Sequence, residues 1–492
     1  MSTETTIVSD ELFIGGEWVK PQGTERIDVI AASTEEPLGS VPEASRDDVD
    51  AAVGAARAAF DDPTGWSSWP AEERAQALER LAGALGGRGQ EIAQRVSLQN
   101  GMPISFALEV EAVFPAVLCM YYANLIRQTE VEEDRQGLLG GTVHVLRKPV
   151  GVVGAIVPWN YPQTLTMFKL APALATGCTV VLKPSPETVL DALLLGEAIA
   201  EARLPPGVVN IVPADREVSS YLVEHPEVDK IAFTGSSAAG RIIARRCGEL
   251  LRPVTLELGG KSAAIVLDDA DLSGAAEALF AATLLNNGQT CVNCTRVLAP
   301  RSRYDEVVGI FSGLADALVV GDSLDPATQV GPVVSARQRE RIEGYIEKGR
   351  AEGARVTAGG GRPAEQERGF FVEPTIFADV DNTHTIAREE IFGPVLAVIP
   401  YGSDDDAVTI ANDSEFGLGG SVWTADHERA EAVARRVQTG SIGINHYMID
   451  PAAPFGGVKA SGLGRELGPE GMLAYQQLQS IYATPPAQPD TP

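Results

Sequence analysis

Cysteine is scarce in this chain, five residues in 492, and three of them, Cys119, Cys178 and Cys247, stand singly. That scatter excludes the paired framework of a small disulfide-stapled secreted fold. The five histidines form no HxxC or HxxxH pair that could complete a zinc site, so no metal is expected. Positive charge is also short: 39 lysines and arginines against 67 acidic residues leave a net charge of -28, which repels nucleic acid and anionic lipid alike. No uninterrupted apolar run approaches the roughly eighteen residues of a membrane span. The opening MSTETTIVSDELF has neither a basic region nor a long apolar stretch, so no export signal is expected. What these absences leave is a cytoplasmic small-molecule enzyme. With 44 % hydrophobic and 22 % charged residues, the chain is long enough for two or more domains.

What is present is organised. SRDDVDAAVGAARAAF (45–60) and PAEERAQALERLAGAL (70–85) repeat apolar positions at three- and four-residue spacing and predict amphipathic helices. From residue 150 the short apolar runs GVVGAIVPW, CTVVLKP, GVVNIVP and DKIAFTG alternate with helix-length segments, LTMFKLAPALATG and LDALLLGEAIAEAR among them. Such alternation predicts βαβ units on a parallel sheet. SAAIVLDD, RVLAP, PVLAVIPY, GSVWTA and GSIGIN predict a second α/β unit. GGTVHVLRK (140–148) alternates polar and apolar residues and predicts an edge or arm strand. The proline-rich end, YATPPAQPDTP, is expected to be unstructured beyond about Thr484.

Five segments could carry chemistry. DKIAFTGSSAAGRII (229–243) runs a strand through Gly235 and Gly240 into a helix, which points free amides at an anion or simply makes a turn. VVLKPSPET (180–188) ends a buried strand on Lys183, one of only eight lysines; it either meets an anion or snorkels off the strand end. PVTLELGGKSAAIV (253–266) places Glu257 in an apolar strand before Gly259 and Gly260, where burial raises a carboxyl toward the range of a general base. PWNYP (158–162) brackets Trp159, Asn160 and Tyr161 with prolines and so presents an amide donor rigidly. In NNGQTCVNCTR, Cys291 and Cys294 stand three apart: half a zinc site, a redox dithiol, or one nucleophile with a neighbour.

PWNYP, KPSPET, FTGSSAAG, LELGGKS, NNGQTC, EEIFGPV and PFGGVKASG, in that order, resemble the motifs of the aldehyde dehydrogenase superfamily. The resemblance runs from IGGEWV (14–19) to PFGGVKASGLGRELGPEG (454–471). It implies a Rossmann-like dinucleotide-binding domain (1–127 and 149–258), a catalytic thiol domain (259–470) and a β-strand oligomerisation arm (128–148 and 471–492). It also implies that Cys291 attacks an aldehyde, that Asn160 and the Cys291 amide hold the oxyanion, and that Glu257 activates the water that hydrolyses a thioester. Lys169 and Glu466 match positions that relay protons from that base, or form an ordinary ion pair. Toward the cofactor it implies Trp159, Lys183, Ser185, Gly235, Ser236, Gly240, Glu390 and Phe392. Cys294 is read as a small buried hydrophobe.

Tyr161, Thr164, Leu165 and Phe168, with Tyr447 and Phe455 from a facing loop, are expected to line the substrate tunnel and to favour an apolar or aromatic aldehyde. No arginine falls among them, which weakens a semialdehyde reading. Glu257 argues against transfer of the acyl group to coenzyme A, and the intact Cys291, Glu257 and Asn160 argue against an inert structural or binding protein on this fold. Many NAD-preferring members of that superfamily carry a glutamate three residues after the strand-end lysine; here that position is Pro186, with Glu187 next. NAD preference with appreciable NADP use is therefore expected. The arm segments imply a homodimer or homotetramer.

Overall fold

Five short runs of buried β-branched and aliphatic residues, Val152–Ile156, Thr179–Lys183, Val209–Ile211, Lys230–Thr234 and Val254–Glu257, pair in parallel at the centre of an eight-stranded sheet. Helices cover both faces, so these strands are apolar throughout rather than alternating. Across the sheet the order is 254, 230, 152, 179, 209. The chain therefore leaves the Val152–Ile156 strand in one direction and later returns to its other side. A crevice opens at such a switch point, at the carboxyl ends of the strands, where residues 157–161 and 234–236 emerge. The computed structural model describes residues 6–483; the expected unstructured end beyond Thr484 lies outside the described residues.

Leu12–Ile14 and Glu17–Val19 extend one edge of this sheet antiparallel. Gly462–Leu463 closes the other edge against Leu256 and Glu257, although the sequence boundaries put it in the thiol domain. Ala263–Val266, Arg296–Pro300, Val395–Tyr401 and Gly420–Trp423 form the middle of a second, seven-stranded sheet, parallel except where Arg355–Ala358 joins its edge. A further small sheet, Ile7–Val8, Pro37–Pro42 and Arg26–Ile30, has no counterpart in the sequence reading.

The strand at 140–148, expected as an edge or arm strand, is the middle of a separate three-stranded sheet. Thr142–Pro149 pairs with Glu132–Gln136 on one side and, along its full length, with Gln476–Ala483 on the other. The free edges belong to the two outer strands. Gln476–Ala483 leaves Leu478, Ile481 and Tyr482 exposed, with Tyr482 at 81 %. The register also brings Glu132, Asp134 and His144 together at the surface, with ligand atoms within 4.8 Å of one another.

The helix Arg46–Asp61, expected from its apolar spacing, begins on a Ser45/Asp48 capping box. The next helix does not stop near residue 85: it runs from Ala71 to Asn100 through Gly86, Gly87 and Gly89. Burial of Ile92, Ala93 and Val96 beyond them offsets a propensity cost of about 1 kcal/mol per glycine. At Gly89 a Cβ would lie 2.9 Å from the Ala112 carbonyl oxygen, so close packing requires glycine there. The segment Ile104–Gln128 is long and apolar enough to cross a membrane by length and composition, with a mean hydropathy of 1.6. It folds instead as two helices, Ile104–Val110 and Phe114–Gln128, parted by a turn at which Glu111 is wholly buried.

Candidate active site

Cys291 follows a turn in which Asn286, Asn287 and Gly288 all take positive φ. Side-chain amides hold that turn. Asn287 donates to the carbonyls of Gly101 (2.8 Å) and Pro332 (2.9 Å), and Asn286 donates to that of Asn160 (3.0 Å). Asn160 in turn donates to the Gln289 carbonyl at 2.9 Å, two residues before Cys291. Asn100 fastens the same loop from the long helix, donating to the carbonyls of Trp159 and Asn160 at 3.1 Å each. The PWN loop and the cysteine loop are thus one hydrogen-bonded unit. Burial and the nearby Glu390 and Glu257 carboxylates push the Cys291 thiol well above its ordinary value, so at rest it is protonated. Cys294 belongs to a different apolar cluster, against Leu284 and Trp423, and receives a hydrogen bond from Ser421. Burial pushes its thiol up to about 12.

Glu257 ends its strand buried, and among the described residues neither carboxylate oxygen has a hydrogen-bond partner. Burial and the charge of Glu466 hold its carboxyl well above 4.5, with Lys169 offsetting part of the rise. Room for it comes from Gly456, at φ +149°, where a Cβ would sit 2.5 Å from Glu257 Oε1. Lys169 Nζ donates to Thr234 Oγ1 at 2.6 Å and to Glu466 Oε1 at 2.8 Å, with both side chains of the ion pair buried. Breaking such a pair strands a charge in the core, at a cost of about 3–5 kcal/mol. The short Gly462–Leu463 strand delivers Glu466 to this position.

From Cys291 a cleft of about 420 Å³ runs along the switch point, past Trp159, Asn160, Thr234, Gly235, Ser236, Gly259, Glu390 and Phe392 to Glu187. Glu390 Oε1 accepts from the Gly260 amide at 3.0 Å, and burial raises its carboxyl to about 6. A Cβ on Gly259 would collide with Glu390 Oε2, so the glycine pair lets this carboxylate into the cleft. Trp159 and Phe392 meet edge to face at 5.3 Å. Ser236 caps the helix Ser237–Glu249, its hydroxyl accepting from the Ala239 amide, so the positive end of that helix faces the cleft.

Four expected cofactor positions differ in detail. The Gly235 amide is taken by the Glu257 carbonyl at 3.0 Å and is not free for an anion. Gly240 does not line the cleft; its missing Cβ makes room for Leu258, which does. Glu187 lines the cleft, whereas Lys183 and Ser185 do not. The Ser185 hydroxyl donates to Glu187 Oε2 at 2.6 Å, and burial lowers the Lys183 ammonium to about 8 against the opposing pull of Glu187 and Asp215. The far wall was not foreseen: Val334, Ser335, Arg337, Gln338 and Arg341 come from VVSARQRERI, a segment with no short motif. Its one local signal is Ser335, whose hydroxyl caps the helix Ala336–Ala351.

Of the expected substrate residues, Tyr161 bonds Thr290 Oγ1 at 2.6 Å, Phe168 packs on Phe455 with centroids 6.1 Å apart, and Tyr447 bonds Ser441 at 2.6 Å. All pack in or against the apolar cluster that Cys291 touches. Thr164 does not present its hydroxyl to a ligand, because that group donates to the Val110 carbonyl, and Leu165 is core. Two aromatics missed in the sequence complete the wall: Phe106 stands edge-on to Tyr161 at 6.1 Å, and Phe114 packs on Phe168 at 6.4 Å.

The profile of the Aldehyde dehydrogenase family matches residues 18–481. A geranial dehydrogenase of Castellaniella defragrans is 57 % identical over 477 residues, 97 % of this chain and 99 % of that one. The crystal structure of a Mycobacterium tuberculosis aldehyde dehydrogenase complexed with NAD+ superposes with a TM-score of 0.95 at 48 % identity, covering 97 % and 99 % of the two chains. A mutant of aldehyde dehydrogenase C from Pseudomonas syringae, in complex with NAD+ and octanal, superposes with a TM-score of 0.94 at 39 % identity, covering 99 % and 100 %. The chain superposes on these structures over nearly its whole length, and it belongs to the aldehyde dehydrogenase family.

Proposed function

We propose that this NAD-dependent enzyme oxidises an apolar aldehyde, acyclic or aromatic, to its carboxylic acid by hydrolysis of a cysteine thioester. The observation that carries the hydrolytic reading is Glu257: a buried carboxyl with no hydrogen-bond partner on either oxygen among the described residues, whose affinity for a proton burial raises, so that its carboxylate is a stronger base than a free one. When bound in the cleft, NAD+ supplies the hydride acceptor. Ser236 and the amides beside it would hold its diphosphate, Glu390 a ribose, and Trp159 with Phe392 the flanks of the ring. Glu187 at the adenosine end, with Ser185 bonded to it, supports a preference for NAD over NADP.

The chain's own part begins at Cys291, whose thiol passes its proton to water in the cleft as sulfur bonds to the aldehyde carbon and the carbonyl oxygen takes the electron pair. The Asn160 amide and the Cys291 N–H then hold the oxyanion of the thiohemiacetal. Once the carbon is at the acyl level, Glu257 takes a proton from water, the water oxygen bonds to the acyl carbon, and the C–S bond breaks. The thiolate leaves and the acid is released. Glu466 and Lys169 stand next to Glu257 to pass its proton onward.

Phe106, Phe114, Tyr161, Phe168 and Phe455 offer an apolar wall without a cation, which supports an apolar substrate over a carboxylated one. Geranial and octanal, named with two of the relatives, are of this class. Steady-state kcat/KM over acyclic, aromatic, carboxylated and amino aldehydes tests it, and a carboxylated or amino aldehyde ranking first would refute it. Product analysis with and without coenzyme A tests the hydrolytic step. We further read the enzyme as cytoplasmic and as a dimer or tetramer built through the strand Gln476–Ala483, whose exposed apolar side chains support a partner.

A further inference from the structure

The helix Pro162–Thr176 starts directly after Asn160 and Tyr161 and carries Phe168 and Lys169, so its first turn sets where several groups of the site stand. That start lacks a cap of its own. Tyr161, at the cap position, makes no side-chain cap bond, and Pro162 has no N–H. The Leu165 amide reaches the Tyr161 carbonyl at 2.9 Å, which leaves the amides of Gln163 and Thr164 without a partner inside the helix. Both are buried.

Glu111 meets them. Its Oε2 accepts from the Gln163 amide at 2.8 Å and its Oε1 from the Thr164 amide at 3.4 Å, from a turn more than fifty residues earlier in the chain. The side chain is wholly buried in the break of an otherwise apolar segment. An acidic group is costly to keep in such a place unless it does something no apolar residue can. Neighbouring bonds tie the same turn down: Thr164 Oγ1 donates to the Val110 carbonyl, and Gln163 Nε2 donates to Asp191 Oδ2 at 2.6 Å. Asn160 is itself pinned from the other side by its bond to the Gln289 carbonyl.

We infer that Glu111 is a positioning residue for the reaction: by capping this helix from a distant turn, it fixes the loop that aims the Asn160 amide at the oxyanion. The inference rests on the reading of Asn160 as an oxyanion donor. It concerns formation of the thiohemiacetal and leaves the adenosine and diphosphate end of the cleft, at Glu187 and Ser236, untouched.

The test uses the full-length enzyme with saturating NAD+ and octanal as probe, following the pre-steady-state burst at 340 nm and, separately, NAD+ affinity. Glu111→Met removes both acceptors at similar volume, and Glu111→Gln keeps one. A positioning role predicts a burst rate about tenfold to a hundredfold lower in Glu111→Met, as a misplaced catalytic group would give. Glu111→Gln should recover to within about threefold, and NAD+ affinity should stay unchanged in both. An unchanged burst in Glu111→Met, a Gln variant as slow as Met, or NAD+ affinity falling in parallel would each overturn the inference. If Glu111→Met does not fold, Glu111→Asp, too short to reach both amides, replaces it with the same outcomes. Asn160→Ala separates the two claims. An unchanged burst there removes the oxyanion reading, whereas a burst lost there and kept in Glu111→Met removes the role of Glu111 alone.

Discussion

Glu257→Gln is the substitution whose consequences the structure specifies most fully. Among the described residues neither carboxylate oxygen has a hydrogen-bond partner, so the change removes little that holds the fold. What it removes is the ability to take a proton. A general base contributes about 10² to 10⁴ in rate, or about 2.7 to 5.4 kcal/mol, and here the whole of it falls on thioester hydrolysis. The variant should release a burst of about one NADH per active site and then turn over at least 10²-fold more slowly than the parent enzyme. Stopped-flow absorbance at 340 nm reads both phases, and intact-mass spectrometry should find the acyl group on the protein. A second consequence has the opposite sign. Because burial holds the Glu257 carboxyl above 4.5 in the folded state, the folded protein binds that proton more tightly than the unfolded chain does. Its contribution to stability is complete below about pH 4.5 and is lost as pH rises toward the raised folded value. Glutamine carries no such proton, so the Tm of the variant should gain on the parent as pH increases. Steady-state turnover within tenfold of the parent, or no acyl adduct, would refute the base assignment.

Cys291→Ser should abolish oxidation, whereas Cys294→Ser, changing a thiol sealed in another cluster beside Ser421, should keep most of it; equal losses on steady-state assay would revive a dithiol. Gly456→Ala should slow turnover more than the burst, because the new methyl pushes on Glu257 Oε1; stopped-flow comparison of the two phases checks it. Glu187→Gln removes a carboxylate from the adenosine end of the cleft and should raise kcat/KM with NADP relative to NAD by about tenfold, measured by steady-state kinetics with both cofactors. Tyr482→Lys and Leu478→Lys together, on the exposed strand Gln476–Ala483, should lower the mass seen by light scattering.

Much of the architecture could be read before any coordinates because it is local. A buried parallel strand must be apolar on both faces, so GVVGAIVPW, CTVVLKP and DKIAFTG were recognisable as strands from composition alone. The length of the 71–100 helix was not, since Gly86, Gly87 and Gly89 look like a stop until the packing against Ala112 is known. The arm was legible as a strand but not as a central one, because its neighbour lies more than 300 residues away. Site residues divide in the same way. Cys291, Glu257 and Asn160 sit in motifs dense enough to single out.

The sequence by itself determined the parallel sheets, the order of the motifs and which side chains have the chemistry to act, because these depend on residue type and short spacing. Tertiary structure alone decided which of them work together. Glu466 reaches Lys169 only through a two-residue strand on a distant sheet edge. Phe106, Phe114 and Glu111 join the site only because an apolar segment breaks at a turn and folds against Pro162–Thr176. Gly240 leaves the cleft because Leu258 needs its space. Contacts across hundreds of residues leave no periodicity and no short pattern, since what selects them is complementary shape and unsatisfied hydrogen-bonding groups brought together by the fold.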